Sequence, residues 1–93
     1  MNKAQMAEDG TLLWYCAGCE EMHGVPVRGD RKWEWNGSLE SPTLSPSVLI
    51  NVGRSNPTRH LCHIFMREGK IQFLADCTHH LAGQTVDLDG SEL

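Results

Sequence analysis

The chain lacks most of what a membrane protein, an exported protein or a nucleotide-binding enzyme needs. Its apolar runs extend over a handful of residues, far short of a membrane span. Met1 to Gly10 has no apolar h-region, so a soluble, unexported, cytoplasmic protein is expected. There is no internal repeat, coiled-coil heptad, low-complexity tract or phosphate-binding glycine loop. Basic charge is scarce as well: 8 Lys and Arg stand against 12 Asp and Glu, for a formal charge of −4. Non-specific nucleic-acid affinity comes mostly from Lys and Arg neutralising phosphates, so nucleic acid is a poor candidate partner. Arg28, Arg31 and Lys32 form one small basic group and Arg54 and Arg59 another, and both read as solvated surface. Cysteine, at 4 of 93 residues, is far below the content of a disulfide scaffold. In a reducing compartment those four thiols point to metal binding first.

What is present fits one small domain. A length of 93 residues excludes a two-domain enzyme, a Rossmann fold or a barrel. A domain of this size buries a limited share of its surface and often needs a staple. Residues 1–10 are polar and without period, which predicts a flexible tail ahead of a single zinc-binding β domain over 11–93. Thr11 to Tyr15 is a short run of strand formers, and His23 to Val27 can run back beside it, with Cys16-Ala17-Gly18-Cys19 at the tip of the hairpin. Trp33-Glu34-Trp35 alternates ahead of Asn36-Gly37, a strong hairpin signal. Pro42 and Pro46 confine the following stretch to an ordered loop or a sheet edge. Val48 to Val52 reads as a strand, and Gly53 to Thr58 as a loop.

The stretch from His60 to Asp76 predicts a hairpin turning at Glu68-Gly69. In that register Arg67 pairs with Lys70, Met66 with Ile71, Ile64 with Phe73, Cys62 with Ala75 and His60 with Cys77. Alternation then gathers Cys62, Ile64, Met66, Ile71, Phe73, Ala75 and Cys77 on one apolar face, and leaves His63, Phe65, Arg67, Gln72, Leu74 and Asp76 on the other. Residues 77–82 suggest a short helical turn closed by Gly83, and Thr85 to Leu88 a last strand. The predicted fold class is therefore mostly β, a small zinc-stapled domain of six or seven short antiparallel strands.

Cys16-x-x-Cys19 is a two-ligand knuckle: a tight turn aims both sulfurs to one side at the separation tetrahedral zinc requires. Cys62 and Cys77 can supply the second pair, because their diagonal offset puts their Cα atoms roughly 7 to 8 Å apart, which suits convergence on a metal better than a disulfide. The expected site is thus Cys16, Cys19, Cys62 and Cys77 holding zinc, closed and structural. Among the five histidines, His23, His63 and His79 are alternative ligands or neighbours of the site, while His60 and His80 read as surface residues. A thioredoxin-type reading of the C-x-x-C fails, because Glu20 to Val27 has no helical period. Trp14, Trp33 and Trp35 read most simply as core or hairpin-packing residues; Trp33 and Trp35, sharing a strand face, alternatively suggest a partner-binding platform.

The run Cys62-His63-x-Phe65 through Gly69-Lys70-Ile71-Gln72-Phe73-Leu74, Asp76-Cys77-Thr78-His79 and Leu81 to Val86, preceded by Trp35-Asn36-Gly37 and Pro42-Thr43-x-Ser45-Pro46-Ser47, resembles a family of small bacteriophage and prophage proteins of zinc-binding type. Members of that family often carry the label ammonia monooxygenase, which a chain without a membrane span or a multi-subunit copper centre cannot support. The resemblance covers Tyr15 to about Leu88 and assigns no activity. It does include a polar set, Ser45, Ser47, His63, Thr78 and His79, for which a structural zinc has no use.

Three functions compete. The first is a non-catalytic module that binds a protein, of the host or of the phage. The second is a metal-dependent hydrolase with a mixed Cys and His site, in which a hydroxyl or Asp76 orients water. It requires the His63 face and the Cys77 turn to converge, which strand parity opposes unless a bulge intervenes between Leu74 and Asp76. The third is a zinc-ribbon nucleic-acid binder, which requires the two basic groups to meet on one face.

Overall fold

The computed structural model describes residues 2–51 and 54–92. The fold is mostly β, as the sequence predicts, with nine short strands in three small antiparallel sheets among the described residues. The count exceeds six or seven because the chain also makes two-residue strands at Gln5–Met6 and Leu44–Ser45, too short to leave a pattern. Strands β1 (Gln5–Met6), β2 (Thr11–Cys16) and β3 (Glu21–Pro26) form the first sheet in that order. Strands β4 (Glu34–Trp35) and β5 (Leu44–Ser45) form the second. The third runs β6 (Val48–Ile50), β7 (Cys62–Arg67), β8 (Lys70–Phe73) and β9 (Thr85–Asp87). Val52 and Gly53, expected to end one strand and open the next loop, lie outside the described residues, as do Met1 and Leu93.

The N-terminal stretch is not a separate tail. Gln5 pairs with Leu13 and Met6 with Leu12, Ala4 is fully buried, and the Lys3 and Ala4 N–H groups both donate to the Leu39 carbonyl. Backbone pairing, with Ala4 buried and Met6 packed against the core, holds a segment that composition alone reads as polar.

The β2–β3 hairpin has the expected cysteine turn at its tip, closed by a bond of 2.7 Å from the Glu20 N–H to the Cys16 carbonyl. The Asn36-Gly37 signal is answered differently. Strands β4 and β5 are joined by a long loop rather than a two-residue turn. Asn36 organises that loop with its side chain, accepting from the N–H groups of Ser38 and Thr43 and donating to the Ser41 carbonyl. The loop is docked on the next hairpin, where Glu68 N–H donates to Thr43 Oγ1 at 2.8 Å and Gly69 N–H to the Pro42 carbonyl at 2.9 Å.

The β7–β8 register is the predicted one from Arg67↔Lys70 to Ile64↔Phe73. Val48, Cys62, Ile64, Met66, Ile71 and Phe73 point inward and join Leu12, Trp14 and Cys16 of the first sheet in one core. Residue pairing ends at Phe73, and only the Leu74 N–H, donating to the His63 carbonyl, extends the ladder. Phe73 turns its backbone to Gln84 and Gly83, and a turn over Leu74 to Cys77 breaks the alternation. Ala75, expected opposite Cys62, is consequently exposed, and Cys77 does not pair with His60. Residues 79–83 form consecutive turns rather than a helix, ending on Gly83 at φ 79°.

Candidate active site and metal centre

The interruption after Phe73 brings together residues that strict alternation keeps apart. His63 sits mid-strand on the outward face of β7, and Asp76 is carried back to it by the turn, so that His63 Nδ1 lies 3.0 Å from Asp76 Oδ2. On the other side His63 Nε2 lies 3.2 Å from the hydroxyl of Ser47, which enters β6 beside β7. With the carboxylate accepting from Nδ1–H, Nε2 is left as acceptor for the serine O–H. This is the Ser, His, acid relay of acyl-transfer enzymes, recognised by geometry rather than by position in the chain. Ser47 and His63 are half-buried, so both remain reachable from outside.

Ser47 is held from behind by Trp33, whose indole N–H donates to the Ser47 carbonyl at 3.3 Å. Trp35 likewise donates to the Ser38 carbonyl at 3.0 Å. Both tryptophans are half-buried against the core, so each has a structural task within the chain.

Behind β7, on the opposite face, lie the thiols. One group that can hold a metal ion consists of Cys16, Cys19, His23 and Cys62, and a second of Cys62, Cys77 and His79, in each case with ligand atoms within 4.8 Å of one another. Neither group takes in all four cysteines. The donor chemistry favours the first. Cys16 and Cys62 stand with their sulfurs 3.9 Å apart, and the Cys19 N–H donates to Cys16 Sγ, as in a metal knuckle. The Cys62 thiol beside it holds Cys16 down to about 4, burial pushes Cys19 up to about 12, and contact with Cys16 pushes Cys62 up as well. A bound metal would deprotonate all three thiols. His23 is buried and its Nε2 has no hydrogen-bond partner among the described residues, a cost that a metal bond removes.

Cys77 and His79 are already engaged. The Cys77 sulfur accepts from His63 N–H at 3.2 Å and donates its proton to the His63 carbonyl at 3.3 Å. His79 Nδ1 accepts from the Leu81 N–H at 3.2 Å, which leaves the proton on Nε2, 3.5 Å from Cys62 Sγ. An Nε2 carrying a proton donates to the Cys62 sulfur and is not a ligand. Gly18 makes room for this ring: a Cβ there would overlap the His79 imidazole. Among the remaining histidines, His60 bonds to Thr78 Oγ1 and both are exposed, and His80 is exposed.

Reasoning from sequence alone finds His63 and Asp76 on one face and includes Ser47 in a polar set, but it does not join the three. No G-x-S-x-G turn marks the serine, and Asp76 arrives through a break in the ladder that has no sequence signature of its own.

No curated protein and no solved structure matches the chain significantly. Residues 1–74 match the model of a family described as bacterial ubiquitination-like system serine protease, BubE, a span that takes in Ser47 and His63 and ends just short of Asp76. That description names neither a phage nor zinc. Since the match extends over well more than half of its length, the chain belongs to the BubE family.

Proposed function

We propose that this chain is a serine protease of a bacterial ubiquitination-like system, with Ser47 as nucleophile, His63 as general base and Asp76 as the group that orients it. The observation that carries the reading is the continuous pair of contacts from Ser47 through His63 to Asp76, at 3.2 and 3.0 Å. Ser47 Oγ attacks the scissile carbonyl while its proton passes to His63 Nε2. The imidazolium so formed is stabilised by the Asp76 carboxylate and returns the proton to the leaving amine or alcohol. Water then attacks the acyl carbonyl, giving its proton to the same nitrogen, which passes it to Ser47 Oγ as the acyl C–O bond breaks and the acid leaves. The protein partner in this reading is the substrate.

The Cys16, Cys19, His23 and Cys62 set fits zinc, the metal that tetrahedral thiolate and imidazole sites favour. With four protein ligands the ion has no open position, so its contribution is structural and no step of the reaction passes through it. A metal-dependent hydrolase is thereby disfavoured. The non-catalytic binding module retains only Trp33 and Trp35 in its support, and both are bonded within the chain.

A fluorophosphonate probe tests the reading. Folded, metal-replete protein should be labelled on Ser47, and Ser47→Ala should not be labelled. Absence of labelling in the folded protein would overturn the assignment.

A further inference from the structure

We propose that the acyl side of an extended polypeptide substrate docks as an added strand, antiparallel to β6, on the open edge of that strand, with Ser47 and Leu49 as its backbone partners. The inference rests on the serine-protease reading and adds to it how the substrate is held.

The direction of each backbone group follows from the register. Glu68-Gly69 is a two-residue turn, so the Arg67↔Lys70 pair that closes it exchanges hydrogen bonds, and Phe65↔Gln72 does so next. The Leu74 N–H to His63 carbonyl bond of 2.9 Å continues the same alternation. His63, Phe65 and Arg67 thus turn their N–H and C=O groups toward β8. Cys62 and Ile64 turn theirs toward β6, where they meet Ile50 and Val48. Leu49, between those two, faces away from β7 with both its N–H and its C=O. The sheet order β6-β7-β8-β9 puts no strand on that side among the described residues. An unpaired N–H and C=O on a strand edge are a ready template for another chain.

Ser47 shares the orientation of Leu49. Its carbonyl is taken on that side by Trp33, while its N–H makes no hydrogen bond among the described residues. In serine proteases the N–H of the nucleophile helps hold the oxygen that becomes negatively charged. This sets the register of the added strand. The residue carrying the scissile carbonyl lies opposite Ser47, its oxygen on the Ser47 N–H. In an antiparallel strand the residue two positions before it then lies opposite Leu49 and exchanges both backbone bonds with it. The Leu49 side chain is on the His63 face and 40% exposed, one of two large apolar side chains so exposed among the described residues, and it lies beside the side chain of that same substrate residue. The site is therefore expected to favour an apolar residue there and to reject proline, which has no N–H to give.

The test compares acetyl-Ala-Ala-Ala and acetyl-Ala 4-nitrophenyl esters. The longer ester should show kcat/KM about tenfold higher, the effect of two neutral hydrogen bonds. N-methylation of its first alanine should remove the gain. In the enzyme, Leu49→Pro deletes an edge-facing N–H and no ladder bond, and should bring the two esters to the same kcat/KM. A second measurement needs no turnover: in Ser47→Ala, the Leu49 amide resonance should shift on titration with acetyl-Ala-Ala-Ala amide and stay still with the N-methylated peptide. Equal kcat/KM for both esters together with an unmoved Leu49 amide would overturn strand addition. Failure to hydrolyse either ester would instead sink the serine-protease reading, and the amide titration would still decide the docking.

Discussion

At the scale of single residues, the chemistry is divided between neighbours in the chain. Ser47→Ala and Asp76→Asn should each lower kcat by about ten-thousand-fold or more, the second because an amide leaves His63 in the wrong tautomer. Steady-state rates on an activated ester check both, with circular dichroism showing the fold unchanged. Cys62 and Cys77 look equivalent in the sequence, yet their surroundings differ. Cys62 stands among thiols, while Cys77 is bonded through its sulfur to both backbone groups of His63. Cys62→Ser should therefore lose bound zinc, whereas Cys77→Ser should keep one zinc per chain. Metal analysis of the purified variants decides, and loss of zinc from Cys77→Ser would move the site to the Cys62, Cys77 and His79 group. The cysteine knuckle was legible in the sequence because two ligands sit on one tight turn. The partition of the other two thiols was not, because it depends on which way the chain bends after Phe73.

At the scale of elements, the β7–β8 hairpin is the framework on which both sites are built. Its register was legible because the apolar side chains fall at every second position on both arms and a one-residue slip would expose them all. Ile64 is fully buried, between Val48 and Phe73 in the ladder, so Ile64→Asp places an unpaired charge in the core and should unfold the protein. Gln72, exposed on the next strand, should accept Asp with a change in stability within about 0.5 kcal/mol. Thermal denaturation of the two variants checks the face assignment. The knuckle offers a further check: Gly18→Ala must displace the His79 ring, and a lowered zinc affinity in competition with a chelator is the expected result. The turn at Leu74 to Cys77 was not legible. It is anchored by the Leu74 N–H on the His63 carbonyl and, just past it, by the Thr78 N–H on the Leu61 carbonyl, partners distant in the sequence, so a bulge there could be weighed from the sequence but not placed.

At the scale of the whole molecule, a chain of 93 residues has a small core and three small sheets that share it. The thiol cluster joins the first sheet to the third, since Cys16, Cys19 and His23 come from one hairpin and Cys62 from the other. Structural zinc contributes on the order of 10 kcal/mol to small metallo-domains, comparable to the entire net stability of an ordinary domain. Chelation should accordingly abolish the cooperative thermal transition, as calorimetry would show; an unchanged transition in metal-free protein would refute a structural metal. The strand that places Cys62 in the thiol cluster on one face places His63 beside Ser47 and Asp76 on the other. On the proposed reading, a chain whose fold needs the metal would not bring Ser47, His63 and Asp76 together until metal is bound. Metal uptake would then do for the proposed protease what removal of a propeptide does for a zymogen, withholding activity until the domain has matured.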